Sequence, residues 1–478
     1  MRSRARSWRP ASSAGTRAAG EPPVSTAAQA PPGAGARPRG RDLAGYAAGS
    51  LGMGVWVTVP GLLLLYFMTH TLGVPPALAG LTLLLPKIID AVAHPLFGTL
   101  SDRQARRAGH RRGMLRWGLL LAVAWIGLFS VPGGLSGWSA ALWVGCFYIA
   151  GNVLYACFQV PYLTTPSDLR IGYHERTRVF MYRMLLLTVG LLGAGVAAPA
   201  LVSAGGRGDY ARMAVLLAGV LVATGAVAVV FVRRLTDRCG FRVPDGQGHS
   251  VLADVRIAWR DREFRALVLS YLFTGVTTHL FLAAVPFYTE YVLDDEGLTA
   301  VLMGAFLVPA AIAGPVWTRV SRRTGKQRAL LLCQGAFVLG PLALWPGDML
   351  GLPATAAVIA VLGVAFAGLQ LFAFSMVPDV VAAAESRGTA RAGAYTGVWT
   401  ATDATGTAIG PYVYSAALAL GGFVSTTEGR AVAQPDSALL ALLIGVTVVP
   451  AALMAVAVVF QRRFSLDRAH ADAPEPAR

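Results

Sequence analysis

The chain is poor in charged residues, and this scarcity excludes most classes of soluble protein. Asp, Glu, Lys and Arg make up 14% of its 478 residues, whereas 55% of the residues are hydrophobic. In an ordinary soluble domain, roughly a quarter of the residues are charged. Polar sequence of low hydrophobicity is concentrated at the two ends, which also excludes a disordered or fibrous protein. The composition indicates a polytopic membrane protein built of apolar helices.

Sequence signatures of metal clusters, disulfide frameworks and nucleotide-driven enzymes are also missing. The four cysteines are scattered, without a Cys-x-x-Cys or Cys-x-x-His spacing. There is no Walker A motif, and the glycine-rich run from Gly49 to Gly54 lies inside an apolar stretch rather than after a strand. We therefore expect no metal site, no cofactor beyond a coupling ion, and no enzymatic activity.

Apolar runs long enough to cross a bilayer predict twelve transmembrane helices in two sets of six. The runs fall near residues 43–69, 76–100, 114–134, 138–166, 179–203, 212–232, 265–292, 298–318, 329–346, 353–377, 393–421 and 437–460. The resulting organisation is a disordered cytoplasmic tail (1–42), a six-helix bundle (43–232), a cytoplasmic linker (233–264), a second six-helix bundle (265–460) and a second tail (461–478).

The 41 Lys and Arg residues are distributed unevenly among the connections between these runs. When Arg212 and Arg265, which begin their runs, are counted with the preceding connections, those after odd-numbered runs contain only Arg207, Arg212 and Arg430, whereas those after even-numbered runs contain 23 cations. Cytoplasmic loops of membrane proteins carry the excess of Lys and Arg. The pattern predicts a multi-pass protein of the cell membrane with both termini in the cytoplasm. It also explains the net charge of +16 without a nucleic-acid partner.

A short internal repeat relates the second and eighth connections. Two glycines and four arginines recur in the same order 216 residues later, at equivalent places in the two halves. Such a repeat is typical of two six-helix halves related by duplication. The first copy is Gly98, Arg103, Arg106, Arg107, Gly109 and Arg112, and the second is Gly314, Arg319, Arg322, Arg323, Gly325 and Arg328.

The segment Gly98-x-x-x-Asp102-Arg103, followed by Arg107, resembles the signature of the major facilitator superfamily between its second and third helices. The resemblance implies two six-helix bundles around a central cavity, which rock to give alternating access. It also implies a gating loop in which Asp102 accepts bonds from backbone or arginine groups and stabilises one access state. A tight turn with inside-positive charge is the alternative interpretation of these residues.

Within that superfamily, the second apolar run resembles the glycoside–pentoside–hexuronide:cation symporters. The residues that carry the likeness read Lys87-Ile-Ile-Asp90-Ala-Val-Ala-His94-Pro-Leu-Phe-Gly98, and weaker likenesses extend from about 43 to 460. The resemblance implies secondary active transport of a small organic solute, by cation-coupled symport of a glycoside-like substrate.

Asp90 and His94 are the predicted coupling pair. A carboxylate within the membrane costs about 2.5–3.5 kcal/mol on insertion scales, so it normally faces the bundle interior with a partner or a cation. His94 lies one turn later on the same helix face. A second carboxylate usually occupies this place in the family, whereas an imidazole is a poor ligand for an alkali cation and a good proton carrier. The pair favours coupling to H⁺ over Na⁺, with a structural hydrogen-bonded pair as the alternative.

Polar and aromatic residues on several runs predict the substrate cavity. Aligned on Asp90, the family's sugar-binding acids fall on Gly54 and Gln159, and Gln159 can still bond hydroxyl groups in both directions. Arg183 matches a family arginine, and it either pairs with Asp90 or Asp403, meets an anionic group of the substrate, or snorkels to the interface. Each residue could alternatively make only an interhelical contact. The predicted cavity residues are Tyr155, Gln159, Tyr162, Arg183, His279, Trp399 and Asp403.

The missing sugar-binding acids leave other cargoes open. Proton-coupled export of an amphipathic metabolite or drug is one alternative, and transport of a lysolipid is another. A membrane sensor is a further alternative, although neither tail contains a folded signalling domain. The expected partners are a small-molecule substrate and the lipid bilayer, and we expect a monomer.

Overall fold

The structure is a computed structural model that describes residues 37–202, 205–241, 256, 259–386, 392–427 and 432–465. Most of the two predicted tails and half of the predicted linker lie outside these residues. In the described part of the chain, β pairing is limited to two isolated bridges, Leu72 with Thr427 and Leu169 with Phe241. The remaining regular structure is helical.

The first half of the chain forms six spans from seven helices. The first span continues beyond its α-helix through two π-helical turns, Pro60–Leu64 and Phe67–Thr71. The helices are α1 (Gly40–Val59), α2 (Pro76–Ala108), α3 (Arg112–Gly118), α4 (Leu121–Phe129), α5 (Trp138–Asp168), α6 (Tyr173–Leu201) and α7 (Arg207–Cys239). Helices α3 and α4 together form the third span.

In the second half, the described residues form six spans from eight helices. Helices α9 and α10 are two parts of one span bent by 54°, and a proline in the first turn of α10 explains the break because it cannot donate a helical hydrogen bond. The helices are α8 (Arg262–Tyr291), α9 (Leu298–Ile312), α10 (Gly314–Thr324), α11 (Lys326–Ala343), α12 (Gly351–Ser386), α13 (Ala392–Leu420), α14 (Asp436–Val446) and α15 (Val448–Arg462). Helices α14 and α15 form the last span.

Length and hydropathy identify most of these spans independently of any family. Eight helices of the described residues are long and apolar enough to cross a membrane, and the bent pair α9–α10 makes a ninth. The other three spans are α2, α11 and α13. Helices α2 and α13 are less apolar because they contain Lys87, Asp90 and Asp403. Each of the twelve predicted apolar runs lies on one of the twelve helical spans.

The helix contacts repeat between the two halves. Helix α1 packs against α6 and α7, just as α8 packs against α13 and α15. Helix α2 packs against α5, just as α9 packs against α12. The halves meet where α2 contacts α13 and where α6 contacts α9. This arrangement is the pseudo-twofold relationship that the internal sequence repeat predicts.

Helices α2 and α7 are among those that extend beyond the predicted apolar runs, which corrects the predicted loops. Helix α2 continues to Ala108, so Gly98, Asp102, Arg103 and Arg107 lie on its last turns and not in a gating loop. Helix α7 likewise contains residues 233–239 of the predicted linker. Arg, Gln and Ala are strong helix formers, so a helix continues into the aqueous region until a residue stops it. Apolar length marks the membrane-embedded part of a helix and not its end.

A glycine with positive φ ends the helix at each copy of the repeat. Gly109 follows α2 with φ +68°, and Gly325 follows α10 with φ +83°. This backbone region is costly for residues with a Cβ atom, so glycine is the usual residue there. The repeated glycines therefore have the same physical role in both halves.

Close helix packing explains why Gly54 replaces an acid of the family. Helix α1 crosses α6 at this point, and a Cβ atom on Gly54 would lie 2.6 Å from the backbone nitrogen of Leu191. The contact is reciprocal, since a Cβ atom on Gly190 would lie 2.4 Å from the backbone oxygen of Leu51. A carboxylate side chain has no room at position 54 in this conformation.

We predict that Gly190→Ala destabilises the protein while Gly193→Ala does not. The first substitution forces α1 and α6 apart, and overpacking of this kind costs about 1–3 kcal/mol. Gly193 lies one turn later, and a Cβ atom added there would have no neighbour within 4 Å, so its substitution adds only helix propensity. Thermal unfolding of the detergent-solubilised chain measures both. Equal unfolding midpoints for the two variants would contradict the packing account.

Candidate functional site

Three ionisable residues of α2 line one side of the centre of the molecule. The Lys87 ammonium donates to Asn152 Oδ1 at 3.3 Å and lies 5.7 Å from the centre of the Tyr148 ring. Asp90 is buried, with 6% of its surface exposed. His94 Nδ1 lies 3.2 Å from Asp90 Oδ1 and 3.0 Å from the Asp90 backbone oxygen. The geometry therefore makes Asp90 and His94 a contacting pair within the membrane.

Both ring nitrogens of His94 face acceptors. Nδ1 faces the oxygens of Asp90, and Nε2 lies 2.7 Å from Gln159 Oε1. This amide orientation lets Gln159 Nε2 donate to the Tyr155 hydroxyl at 3.0 Å. A neutral imidazole has one donor and one acceptor nitrogen, whereas an imidazolium has two donors. The arrangement therefore fits a doubly protonated His94 beside an ionised Asp90.

A neutral His94 is also accommodated by the same residues. If the Gln159 amide rotates by half a turn, its Nε2 donates to the deprotonated His94 Nε2 and its Oε1 accepts from Tyr155. The two hydrogen bonds of Gln159 are then restored with the opposite polarity, while His94 Nδ1 still donates to Asp90. His94 can thus gain or lose a proton at Nε2 while His94, Gln159 and Tyr155 keep their hydrogen bonds to one another.

A second polar cluster lies across the centre, on α8, α12 and α13. The Tyr271 hydroxyl donates to Asp403 Oδ1 at 2.7 Å and lies 3.5 Å from Gln370 Oε1. Trp399 stacks on Tyr271 with ring centres 4.1 Å apart. Lys87 lies within electrostatic range of Asp403. A cation of the first half and a carboxylate of the second half are therefore close enough to attract each other.

His279 extends this second cluster along α8 and α13. Its Nδ1 lies 2.9 Å from the Gly275 backbone oxygen, which leaves Nε2 to face the Thr407 hydroxyl at 3.3 Å. The Thr407 hydroxyl also bonds the backbone oxygen of Asp403 at 3.0 Å. His279 and Asp403 are thus linked through one threonine.

Tyr162 does not join the other predicted cavity residues. It is fully buried between α1 and α5, where its ring stacks on Tyr46 at 4.6 Å. Its hydroxyl donates to the Tyr46 backbone oxygen and contacts the Ser50 hydroxyl, both at 2.9 Å. These bonds use the hydroxyl within the helix interface, so Tyr162 stabilises packing and is not available to a solute.

Arg183 does not pair with Asp90 or Asp403, the two described carboxylates that could have been its partners. It is half-buried, its guanidinium lies 5.1 Å from the centre of the Phe180 ring, and its Nε makes no hydrogen bond. Among the described residues it forms no ion pair with Asp90 or Asp403. An unpaired cation in this position can bind an anionic group of a molecule from outside the protein.

Sequence reasoning missed several members of these clusters. Sequence spacing places Lys87 one turn before Asp90, and this signal could have identified it. Asn152, Tyr271, Gln370 and Thr407 have no such signal, because their roles depend on contacts between helices far apart in sequence.

Asp102 belongs to an ion-pair network near the end of α2. It accepts a bond from Arg111 at 2.7 Å, and Arg111 also binds Asp168 through Nε at 2.6 Å. Arg103 and Arg107 are exposed and lie outside this network. Arg111, just past the Gly109 turn, was not among the predicted gating residues. The network ties α2 to the end of α5 and the start of α3.

We predict that Arg111→Gln destabilises the protein and Arg107→Gln does not. Removing one partner of a buried ion pair typically costs about 3–5 kcal/mol, because the other charge is left uncompensated. Asp168 has only 9% of its side chain exposed, whereas Arg107 is exposed. Thermal unfolding of the two purified variants makes the comparison. An unchanged midpoint in Arg111→Gln would refute a structural role for the network.

The two halves of the molecule are joined at the face opposite this network. We call the face that carries Asp102 and Arg111 the basic face, and the face that carries His70 and Thr426 the opposite face. At the opposite face the Thr426 hydroxyl donates to the His70 backbone oxygen at 2.6 Å, and His70 Nε2 lies 2.7 Å from Glu290 Oε1. Ser425 donates to the Val74 backbone oxygen at 2.7 Å.

Ion pairs at the basic face instead stay within one half. Arg111 with Asp168 and Arg112 with Asp237 lie in the first half, and Lys326 with Asp379 lies in the second half. The bonds described here between the halves therefore lie at the opposite face, whereas these three ion pairs of the basic face each join residues of one half. This distribution corresponds to a conformation closed at the opposite face.

These features define a class of protein: a multi-pass helical transporter with a central polar site between two related bundles. The chain belongs to the family described as MFS/sugar transport protein, which matches residues 45–468. The predicted all-helical major facilitator fold, with twelve spans in two six-helix bundles, is thereby confirmed, as is secondary transport.

Individual relatives agree with this assignment. The chain is 25% identical to the uncharacterised symporter sll1374 of Synechocystis over 85% of this chain and 90% of that protein. It is 28% identical to the sphingosine-1-phosphate transporter MFSD2B of Mus musculus over 66% of this chain and 67% of that protein. The crystal structure of the nucleoside transporter NupG has the same fold, with a TM-score of 0.62, 15% identity, and coverage of 89% of this chain and 99% of that chain.

Proposed function

We propose that this transporter couples the entry of a glycoside-like solute to the entry of a proton. The observation that carries the proposal is the contact of His94 with both Asp90 and Gln159. It links a group that can exchange a proton to an amide that can bind a hydroxyl group. Protonation and solute binding would then compete for, or cooperate through, the same hydrogen bonds.

Coupling to H⁺ is favoured over coupling to Na⁺ by the surroundings of Asp90. An alkali cation needs several oxygen ligands, and the nearest side-chain partner of Asp90 is an imidazole nitrogen at 3.2 Å. When His94 is charged, it repels a second cation from the same carboxylate. When it is neutral, it is available to accept a proton.

The chemistry of the two central clusters supports a solute with many hydroxyl groups. Gln159, Tyr155 and Thr407 each offer both a donor and an acceptor, and Asp403 offers carboxylate oxygens. Trp399 and Tyr271 add aromatic surface beside these groups. The family description, which names sugar transport, points to the same class of solute.

A phosphorylated lysolipid is a second candidate, supported by two observations. Arg183 has no carboxylate partner among the described residues, and guanidinium groups bind phosphate oxygens well. One relative, MFSD2B, is named as a sphingosine-1-phosphate transporter. The relative sizes of sugar and lysolipid uptake distinguish the two candidates.

The distribution of Lys and Arg supports a cytoplasmic position for the basic face and for both termini, in the cell membrane. With this orientation, the conformation closed at the opposite face is closed to the outside. Rocking of the two bundles about the central clusters would then break the contacts of His70 and Thr426 and expose the site to the outside.

We predict that Asp90→Asn abolishes proton-driven accumulation but leaves solute exchange intact. An imposed gradient of one pH unit supplies about 1.4 kcal/mol, enough for about tenfold accumulation by a one-proton symporter. The amide cannot take part in proton transfer with His94, so the variant should only equilibrate the solute. Uptake and counterflow in proteoliposomes measure the two activities.

Asp209→Asn is the matched control, because Asp209 pairs with Arg212 at 2.9 Å near the start of α7 and lies outside the central clusters. It should accumulate the solute as the wild type does. Accumulation by Asp90→Asn that follows an imposed proton gradient as strongly as the wild type would exclude Asp90 from coupling.

We also predict that a mixed panel of glycosides, glucuronides and lysolipids will yield a sugar as the accumulated solute. Proteoliposomes are loaded under an inward proton gradient or an inward sodium gradient, and their contents are read by mass spectrometry. Proton-dependent sugar accumulation is the expected result. Accumulation of a lysophospholipid alone, with loss in Arg183→Gln, would assign the second candidate instead.

A further inference from the structure

A histidine and two glutamates from different halves of the chain converge at the opposite face. His70 lies in the π-helical turn Phe67–Thr71, Glu290 lies in the last turn of α8, and Glu296 lies in the following loop. His70 Nε2 is 2.7 Å from Glu290 Oε1 and 3.9 Å from Glu296 Oε1. One ligand atom from each of the three residues can be chosen so that all lie within 4.8 Å of one another.

These distances suit a tetrahedral metal ion. Bonds of about 2.0–2.1 Å from zinc to nitrogen and oxygen place neighbouring ligand atoms about 3.3 Å apart. The two distances from His70 Nε2 lie on either side of this value. The donor set of one imidazole and two carboxylates selects zinc and similar transition metals over Mg²⁺ and Ca²⁺, which prefer oxygen ligands throughout.

The surroundings of the cluster contain buried polar groups without partners. The side chain of His70 is 4% exposed, and its Nδ1 makes no hydrogen bond. The hydroxyls of Tyr66 and Tyr210 are buried and make no hydrogen bond of ordinary geometry. Both tyrosines line a small cavity that also reaches Glu296. This cavity leaves room for a fourth ligand, either a water molecule or a tyrosine hydroxyl.

The cluster can also be reached from solvent. The side chain of Glu296 is 34% exposed, whereas that of Glu290 is 16% exposed. An ion arriving from the opposite face meets Glu296 first and the buried imidazole last. Access from one side and burial on the other are what a closable binding site requires.

We propose that His70, Glu290 and Glu296 form a binding site for a divalent transition-metal ion that bridges the two bundles. His70 comes from the first half and both glutamates come from the second, so the complete ligand set exists only while the opposite face is closed. A bound ion stabilises that conformation by its differential affinity for it. The site is separate from the central clusters. By holding the opposite face closed, a bound ion restricts access to them from that face.

Zinc titrated into the purified full-length chain in nanodiscs tests binding directly. Isothermal titration calorimetry should show one zinc ion per chain in the wild type and in His110→Gln, a control histidine in the turn after α2. His70→Gln and Glu296→Gln should each bind zinc more than about tenfold more weakly, since even residues behind the ligands are worth 10–100-fold.

Glu296→Gln keeps the 2.7 Å contact between His70 and Glu290, so its effect reports loss of a ligand and not opening of the face. Equal zinc affinity in all four proteins, or no binding at millimolar zinc, would overturn the proposal. The calorimetric titration does not depend on what the protein transports.

The effect of zinc on access rests on the proposed transport function, and a separate uptake experiment tests it. Zinc added outside proteoliposomes should slow solute uptake by the wild type and His110→Gln, but not by Glu296→Gln. Zinc binding without slowed uptake would overturn the bridging role and leave the metal site standing. If no solute is taken up by any variant, the proposed solute class fails while the calorimetric result still decides the site.

Discussion

The cost of holding ionisable groups inside a bilayer is the constraint on which this structure depends. Lys87, Asp90, His94 and Asp403 lie on helices that must cross an apolar medium, so each of them needs a partner within the protein. Asp90 contacts His94, Lys87 contacts Asn152, and Asp403 contacts Tyr271. These contacts place the polar faces of α2, α5, α8 and α13 toward the centre, and the apolar faces toward lipid follow from that placement.

The proposed coupling of proton and solute depends on the same constraint. Asp90 and Tyr155 are buried there, so a proton added to His94 needs a hydrogen-bond acceptor within the protein, and the Gln159 amide can provide it by rotating. In the proposed mechanism, a solute that forms a hydrogen bond with Gln159 changes how the amide can rotate. The two bundles are meanwhile joined at the opposite face by His70, Thr426 and their partners, so a change at the centre can be transmitted as rocking of one bundle against the other.

Much of the fold could be predicted from the sequence. Bilayer thickness sets the length of each apolar run, and the same glycine and arginine motif recurs at equivalent places in the two sets of six runs. The contact of Asp90 with His94 followed from their spacing on one helix. The sequence did not predict that α2 continues as far as the Gly109 turn and α7 as far as Cys239. The length of an apolar run does not indicate how many polar helical turns follow it in water. Arg111 as the partner of Asp102, and Tyr271 as the partner of Asp403, required the tertiary structure.

Proton movement during solute entry tests the central claim most directly. Proteoliposomes containing the wild-type chain are placed in a lightly buffered medium, solute is added without any imposed gradient, and the external pH is recorded. The account predicts that the medium becomes more alkaline in proportion to the solute taken up, because each entering solute carries a proton with it. Solute entry with no change in pH, accompanied instead by uptake of labelled sodium, would contradict proton coupling through Asp90 and His94.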